Sequence, residues 1–276
     1  MADRIKPHVV ERVKIIRQWE KDIGLFEAKD IGLKKYHNYY APKRLVRNSK
    51  KVLSFGVGGD CKFEKLLLHE NDKLKVAMFD PTPYTIRNIE GIIRSCGRKE
   101  IDDLDRNKFL STKIQFFPWA YSHTPGEQKF YYDPNREEEH NTHLRANKLQ
   151  HLTQSFSLIK QNEKFKSINV ETKNIRTIMK ELEWDSVDIV KADIEGLWKE
   201  ISDEILDNNI NIKMLATEFE LIFDDIHTAL AKAKAVIEKF KQHGYDAFLN
   251  RRRDKLMLEM LFIRKDLKYT YESWDF

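Results

Sequence analysis

The stretch Lys51–Leu67, "KVLSFGVGGDCKFEKLL", decides how this chain is read. An apolar run is followed by three glycines, an acid and then an amphipathic run. That order spells strand, tight turn and helix. Twenty-two residues after Gly58, a second apolar run stops on Asp80 in "VAMFDPTP". The two stretches predict strand 52–56, helix 61–70, strand 75–80 and helix 83–95.

The pattern continues outward. Strands are expected at 113–120, 128–133, 167–172, 187–193 and 212–219, with helices at 174–182, 197–207 and 226–242. "GYDAFLNRRRDKLMLEMLFIRK", starting at Gly244, reads as a hairpin with its turn at Asn250 to Asp254. Before Lys51, residues 8–30 carry Val10, Val13, Ile16, Trp19, Ile23 and Phe26 at helical spacing. Tyr36, Tyr39 and Tyr40 fall in a segment with no clear period. Residues 97–112 form a charged insertion. The chain thus divides into an N-terminal helical segment, 1–50, and a Rossmann-like domain, 51–276, with an insertion or lid at 134–166. Repeated strand–helix alternation predicts an α/β fold, a mostly parallel sheet with helices on both faces. Such sheets bind ligands outside the carboxyl ends of their strands, at the point where strand order reverses.

Composition narrows the classes. Of 276 residues, 41% are hydrophobic, enough for a large core, and 34% are charged. The net charge of +5 and pI near 8.9 allow an anionic substrate without calling for nucleic acid. Cys61 and Cys96 have no metal-binding spacing. The start, "MADRIKPHVVERVKIIRQWEKDIG", lacks the apolar core of a secretion signal, and no run approaches a membrane span. A cytoplasmic protein is the expectation, without membrane insertion.

Candidate site residues are those that end strands. Gly56, Gly58 and Gly59 permit positive φ and close approach of a ligand to the backbone; the plainer reading is a tight turn. Asp80 is placed to accept hydrogen bonds from ribose hydroxyls, or simply to cap the turn before Pro81. Together they suggest a nucleoside-bearing cofactor: nicotinamide, flavin or S-adenosylmethionine. Cys61 stands where a dinucleotide fingerprint would have its third glycine, which counts against a dinucleotide. In "VDIVKADIEG", 187–196, Asp193 and Glu195 come at the end of a strand, and i and i+2 share a side in extended chain. They could instead cap helix 197–207. Strand 212–219 brings Glu218 and Glu220 to the same edge. Such acids can serve as base, hydroxyl clamp or hard-metal ligands.

"SFGVGGDCKFE", "FDPTP", "FFPWAYS", "IRTIMKEL", "VDIVKADIEG" and "TEFE" follow the order and spacing of FkbM-like methyltransferases, and the chain resembles that family over about residues 50–265. The resemblance implies a class I methyltransferase fold, a seven-stranded sheet whose last strand is antiparallel, and S-adenosylmethionine as cofactor. It implies cofactor contacts by Phe55, Gly56, Gly58, Asp80 and Pro81, and by Trp119 and Ala120. Without the resemblance, Trp119 reads as a core aromatic. Two departures stand out: Leu197-Trp198 follow Gly196, and Glu220 stands where relatives often carry His.

The chemistry implied is direct displacement, with a hydroxyl of a glycan or small secondary metabolite attacking a sulfonium methyl. Asp193 or Glu195 would be the base, with Glu218 beside them. Alternatively, Asp193 and Glu218 would hold Mg²⁺ and lower the hydroxyl pKa. Two rivals remain: a nicotinamide-dependent oxidoreductase and a non-catalytic cofactor-fold binding protein. His140, His143, His151, Arg136 and Arg145 make 134–166 a candidate substrate loop. Arg251, Arg252 and Arg253 read as a solvated hairpin tip.

Overall fold

In the computed structural model, the described residues are 7–58, 61–83, 85–86, 104–105, 108–110, 114–132, 157–160, 163–250 and 257–270. The strands are β1 (Phe26–Glu27), β2 (Lys34–Tyr36), β3 (Tyr39–Ala41), β4 (Lys51–Phe55), β5 (Lys75–Phe79), β6 (Leu104–Asp105), β7 (Lys108–Leu110), β8 (Ile114–Phe117), β9 (Ala120–Tyr121), β10 (Gly126–Tyr132), β11 (Lys166–Lys173), β12 (Ile189–Ala192), β13 (Met214–Glu220), β14 (Tyr245–Asn250) and β15 (Met257–Arg264). The helices are α1 (Pro7–Asp22), α2 (Lys43–Arg47), α3 (Lys62–Glu70), α4 (Ile175–Glu181), α5 (Trp198–Asp207) and α6 (Ile226–Gln242).

One sheet runs in the order β1-β14-β15-β13-β12-β4-β5-β8-β7-β6. Its centre is parallel: β8, β5, β4, β12 and β13 all run one way. β15 enters between β13 and β14, antiparallel to both. Those seven strands make the Rossmann-like arrangement the resemblance implies, widened by β1 at one edge and the β6–β7 hairpin at the other. Strand order reverses between β4 and β12, so Gly56 and Asp193 emerge side by side.

The sheet is buried on both faces because alternate residues feed two cores. Leu53, Phe55, Val190 and Ala192 pack against α4, α5 and α6. Val52, Val76, Ile189 and Met214 pack against α3 and the N-terminal segment. β12 therefore reads as an unbroken apolar run except for Lys191, itself buried.

The structure amends several expectations. Among its described residues, the N-terminal segment is helical only over α1 and α2. α1 stops at Asp22, and Gly24 takes a positive φ of 59°. Beyond it, Tyr36 and Tyr39 lie in a β2–β3 hairpin turned by His37. The predicted strand 113–120 breaks at Pro118, which has no N–H to donate. The chain then starts a second sheet, β10-β11-β9. The predicted strand 167–172 is β11 of that sheet, not part of the main one. The expected helix 83–95 lies mostly outside the described residues. No helix among the described residues is long and apolar enough to cross a membrane.

Candidate active site

The glycine turn and Asp80 are bonded to each other. The Gly58 N–H donates to Asp80 Oδ2 at 2.7 Å, and the Thr82 N–H donates to Asp80 Oδ1 at 2.9 Å. The Thr82 hydroxyl donates to Oδ1 as well, and the Thr85 hydroxyl donates to the Gly58 carbonyl. Asp80 is buried. A carboxylate has about four acceptor positions, and the three donors among the described residues leave about one. The turn-forming role of Asp80 is thus present, and by that count one acceptor stays open to a ligand hydroxyl. Pro81 follows at the rim.

Gly56 is bare for a reason within the chain. Its φ is +71°, and a Cβ there would lie 1.9 Å from the Asp193 carbonyl oxygen. The ends of β4 and β12 are pressed together, and only glycine allows it. The preceding Phe55 points into the core and stacks on Phe79 at 4.8 Å. The buried Lys191 ammonium donates to the carbonyls of Phe55 and Gly56 and lies 3.8 Å from Asp193 Oδ2. Sequence reasoning passed over Lys191, though a lysine inside a central apolar strand signals that its charge must be met locally. Gly59 lies outside the described residues.

β12 ends at Ala192, so residues 193–196 form a turn and the i, i+2 rule does not reach Glu195. Asp193 instead joins Glu218 and Glu220, each offering a carboxylate oxygen, all within 4.8 Å of one another. Glu195 is not one of the three. Its carbonyl accepts the Ser157 hydroxyl at 2.9 Å. α5 begins after Leu197 with no side-chain cap, so neither Asp193 nor Glu195 serves as its cap. Gly196, at φ +81°, donates its N–H to Glu220 Oε2 at 3.2 Å; a Cβ there would strike Ile159. Burial pushes the Glu220 carboxyl well above the ordinary range, and the charges of Glu195, Asp193 and Glu218 push it the same way.

Trp119 and Ala120 sit beyond β8, away from the acids. Trp119 stacks on Phe117 at 4.4 Å, and the Lys173 ammonium stands 3.6 Å over its ring. Pro81, Phe117, Pro118, Trp119, Lys173 and Glu181 line a cavity of about 840 Å³. None of Asp193, Glu218 or Glu220 lines it. Ala120 is buried at the start of β9. His140, His143, His151, Arg136, Arg145 and Arg251 to Arg253 lie outside the described residues.

No family model matches the chain, and no curated protein does. Among solved structures, it is similar to an O-methyltransferase family protein from Burkholderia thailandensis, at TM-score 0.40 and 9% identity over 91% of this chain and 58% of that one. The chain therefore spans little more than half of that protein. It is also similar to the O-methyltransferase from Bacillus cereus in complex with SAH, at TM-score 0.42 and 9% identity over 95% and 94% of the two chains. A third is the Methanococcus jannaschii fibrillarin pre-rRNA processing protein, at TM-score 0.41 and 14% identity over 86% and 73%. At such scores the fold assignment rests on strand order itself, and no residue role is taken from these proteins.

Proposed function

We propose that the protein is an S-adenosylmethionine-dependent O-methyltransferase of the FkbM-like kind, acting on a hydroxyl of a glycan or small metabolite. The observation that carries this reading is the placement of antiparallel β15 between β13 and β14. A dinucleotide-binding sheet has the simple order 3-2-1-4-5-6 with no such insertion. The nicotinamide oxidoreductase is therefore disfavoured on topology as well as on Cys61.

The residues present fit a nucleoside methyl donor. Asp80 keeps an acceptor position beside a turn shaped by Gly56 and Gly58. Trp119 and its proline and aromatic neighbours offer a flat apolar wall suited to a base. When bound, the donor supplies an electrophilic methyl on a sulfonium centre. The chain's own residues hold the acceptor and take its proton. Asp193, whose side chain is 32% exposed, and Glu195 can reach a hydroxyl at the mouth. Glu218 is buried close beside Asp193. General-base action of this kind is worth about 10²–10⁴ in rate.

The test is acceptor-dependent formation of S-adenosylhomocysteine from the donor by the full chain, with a mass gain of one methylene on the acceptor. Hydride exchange with a nicotinamide cofactor would replace this reading.

A further inference from the structure

The ends of β12, β13 and β15 gather four carboxyl groups. Glu218 and Glu220 are both buried, and Glu259 is buried on β15 directly across from Glu218. Asp193 completes the group. The Lys191 ammonium lies 3.8 Å from Asp193 Oδ2 and also serves two backbone carbonyls.

A second observation points to a ligand. Glu220 is 2% exposed, Oε2 takes the Gly196 N–H, and Oε1 has no hydrogen-bond partner among the described residues. A buried carboxylate oxygen without a donor is costly unless a proton or a cation meets it. Oε1 is itself buried, so it faces protein and not solvent, and Glu220 is one of the three acids whose oxygens converge.

We propose that Asp193, Glu218 and Glu220 form a binding site for one hard divalent cation. Oxygen ligands bind Ca²⁺ at about 2.3–2.6 Å and Mg²⁺ at about 2.0–2.1 Å. Two ligands on opposite sides of Ca²⁺ are then about 4.6–5.2 Å apart, and on Mg²⁺ about 4.0–4.2 Å. Three oxygens within 4.8 Å of one another fall inside the span of the first and need more contraction to reach the second. Among the described residues no His or Cys joins the group, so zinc and other softer metals are disfavoured. Three carboxylates from two adjacent strand ends favour a divalent over a monovalent ion. Glu220 is the ligand that distinguishes this site from a two-acid arrangement of Asp193 and Glu218. The proposal does not rest on the methyl-transfer reading, since the ion is held by protein groups alone.

The test uses the chelator-stripped full chain with no methyl donor. Mn²⁺ binding is followed by electron paramagnetic resonance of the free ion, and Ca²⁺ and Mg²⁺ by calorimetry. One saturable site per chain is expected, accompanied by a rise in melting temperature. Glu220→Gln and Asp193→Asn should each weaken Mn²⁺ by about tenfold or more. Glu163→Gln, on an exposed acid paired with Lys160, should leave it unchanged. Should Glu220→Gln fold poorly, Asp193→Asn carries the comparison. Absence of saturable binding in the folded wild-type chain would overturn the proposal. So would equal affinity in wild type and Glu220→Gln, and a proton would then be what meets Oε1.

Discussion

Gly56→Ala tests whether the bare turn serves the chain itself. The added Cβ would lie 1.9 Å from the Asp193 carbonyl oxygen and 2.9 Å from its carbon, both backbone atoms that cannot rotate away. Two costs add. A left-handed φ of +71° costs a non-glycine residue about 1–2 kcal/mol. Overpacking against backbone costs about 1–3 kcal/mol more. The sum is about 2–5 kcal/mol. Gly24→Ala is the internal control, because its φ is +59° but a Cβ there meets nothing within 4 Å. That variant should lose only the first part, about 1–2 kcal/mol. Urea unfolding of both variants, read by tryptophan fluorescence, separates the terms. Equal losses in the two variants would refute the claim that β4 and β12 are pressed together at Gly56.

Asp80→Ala should weaken S-adenosylhomocysteine binding by about 1–3 kcal/mol in calorimetry, the scale of a lost hydrogen bond to a charged group; unchanged affinity would leave Asp80 with its turn-forming role alone. Asp193→Asn and Glu195→Gln should keep the fold but lower kcat by about 10²–10⁴ on an identified acceptor; near-normal turnover in both would remove them from the chemistry. Glu220 predicts a pH signature in the metal-free protein. Its folded pKa is raised, so the stability tied to its protonated form is intact below the ordinary value of 4.5 and is lost as pH rises through the raised one. Thermal melts should show wild type falling relative to Glu220→Gln across that rise; parallel curves would contradict the burial argument.

Much of the fold was legible because the parallel core writes itself as apolar runs ending in turns. β4, β5, β12 and β13 fell within a residue or two of their expected ends, and α6 matched throughout. The second sheet was not legible. A half-exposed strand such as β11 has the same alternation whichever sheet it joins, and only the break at Pro118 hints at the switch. At the site, the pairing of the glycine turn with Asp80 was readable, whereas the direct hydrogen bond that also links them was not. Asp193 and Glu218 were found as strand-end acids. Glu220 becomes their close partner, and Glu195 does not, because the strand stops at Ala192 and the extended-chain geometry ends with it. Lys191 was hidden by its apolar neighbours.

Calorimetric titration of the purified chain with S-adenosylhomocysteine, run beside NADH, decides the identity of the cofactor. Saturable one-site binding of S-adenosylhomocysteine is expected, with no heat of binding from NADH. Saturable binding of NADH with none of S-adenosylhomocysteine would contradict the methyl-donor assignment.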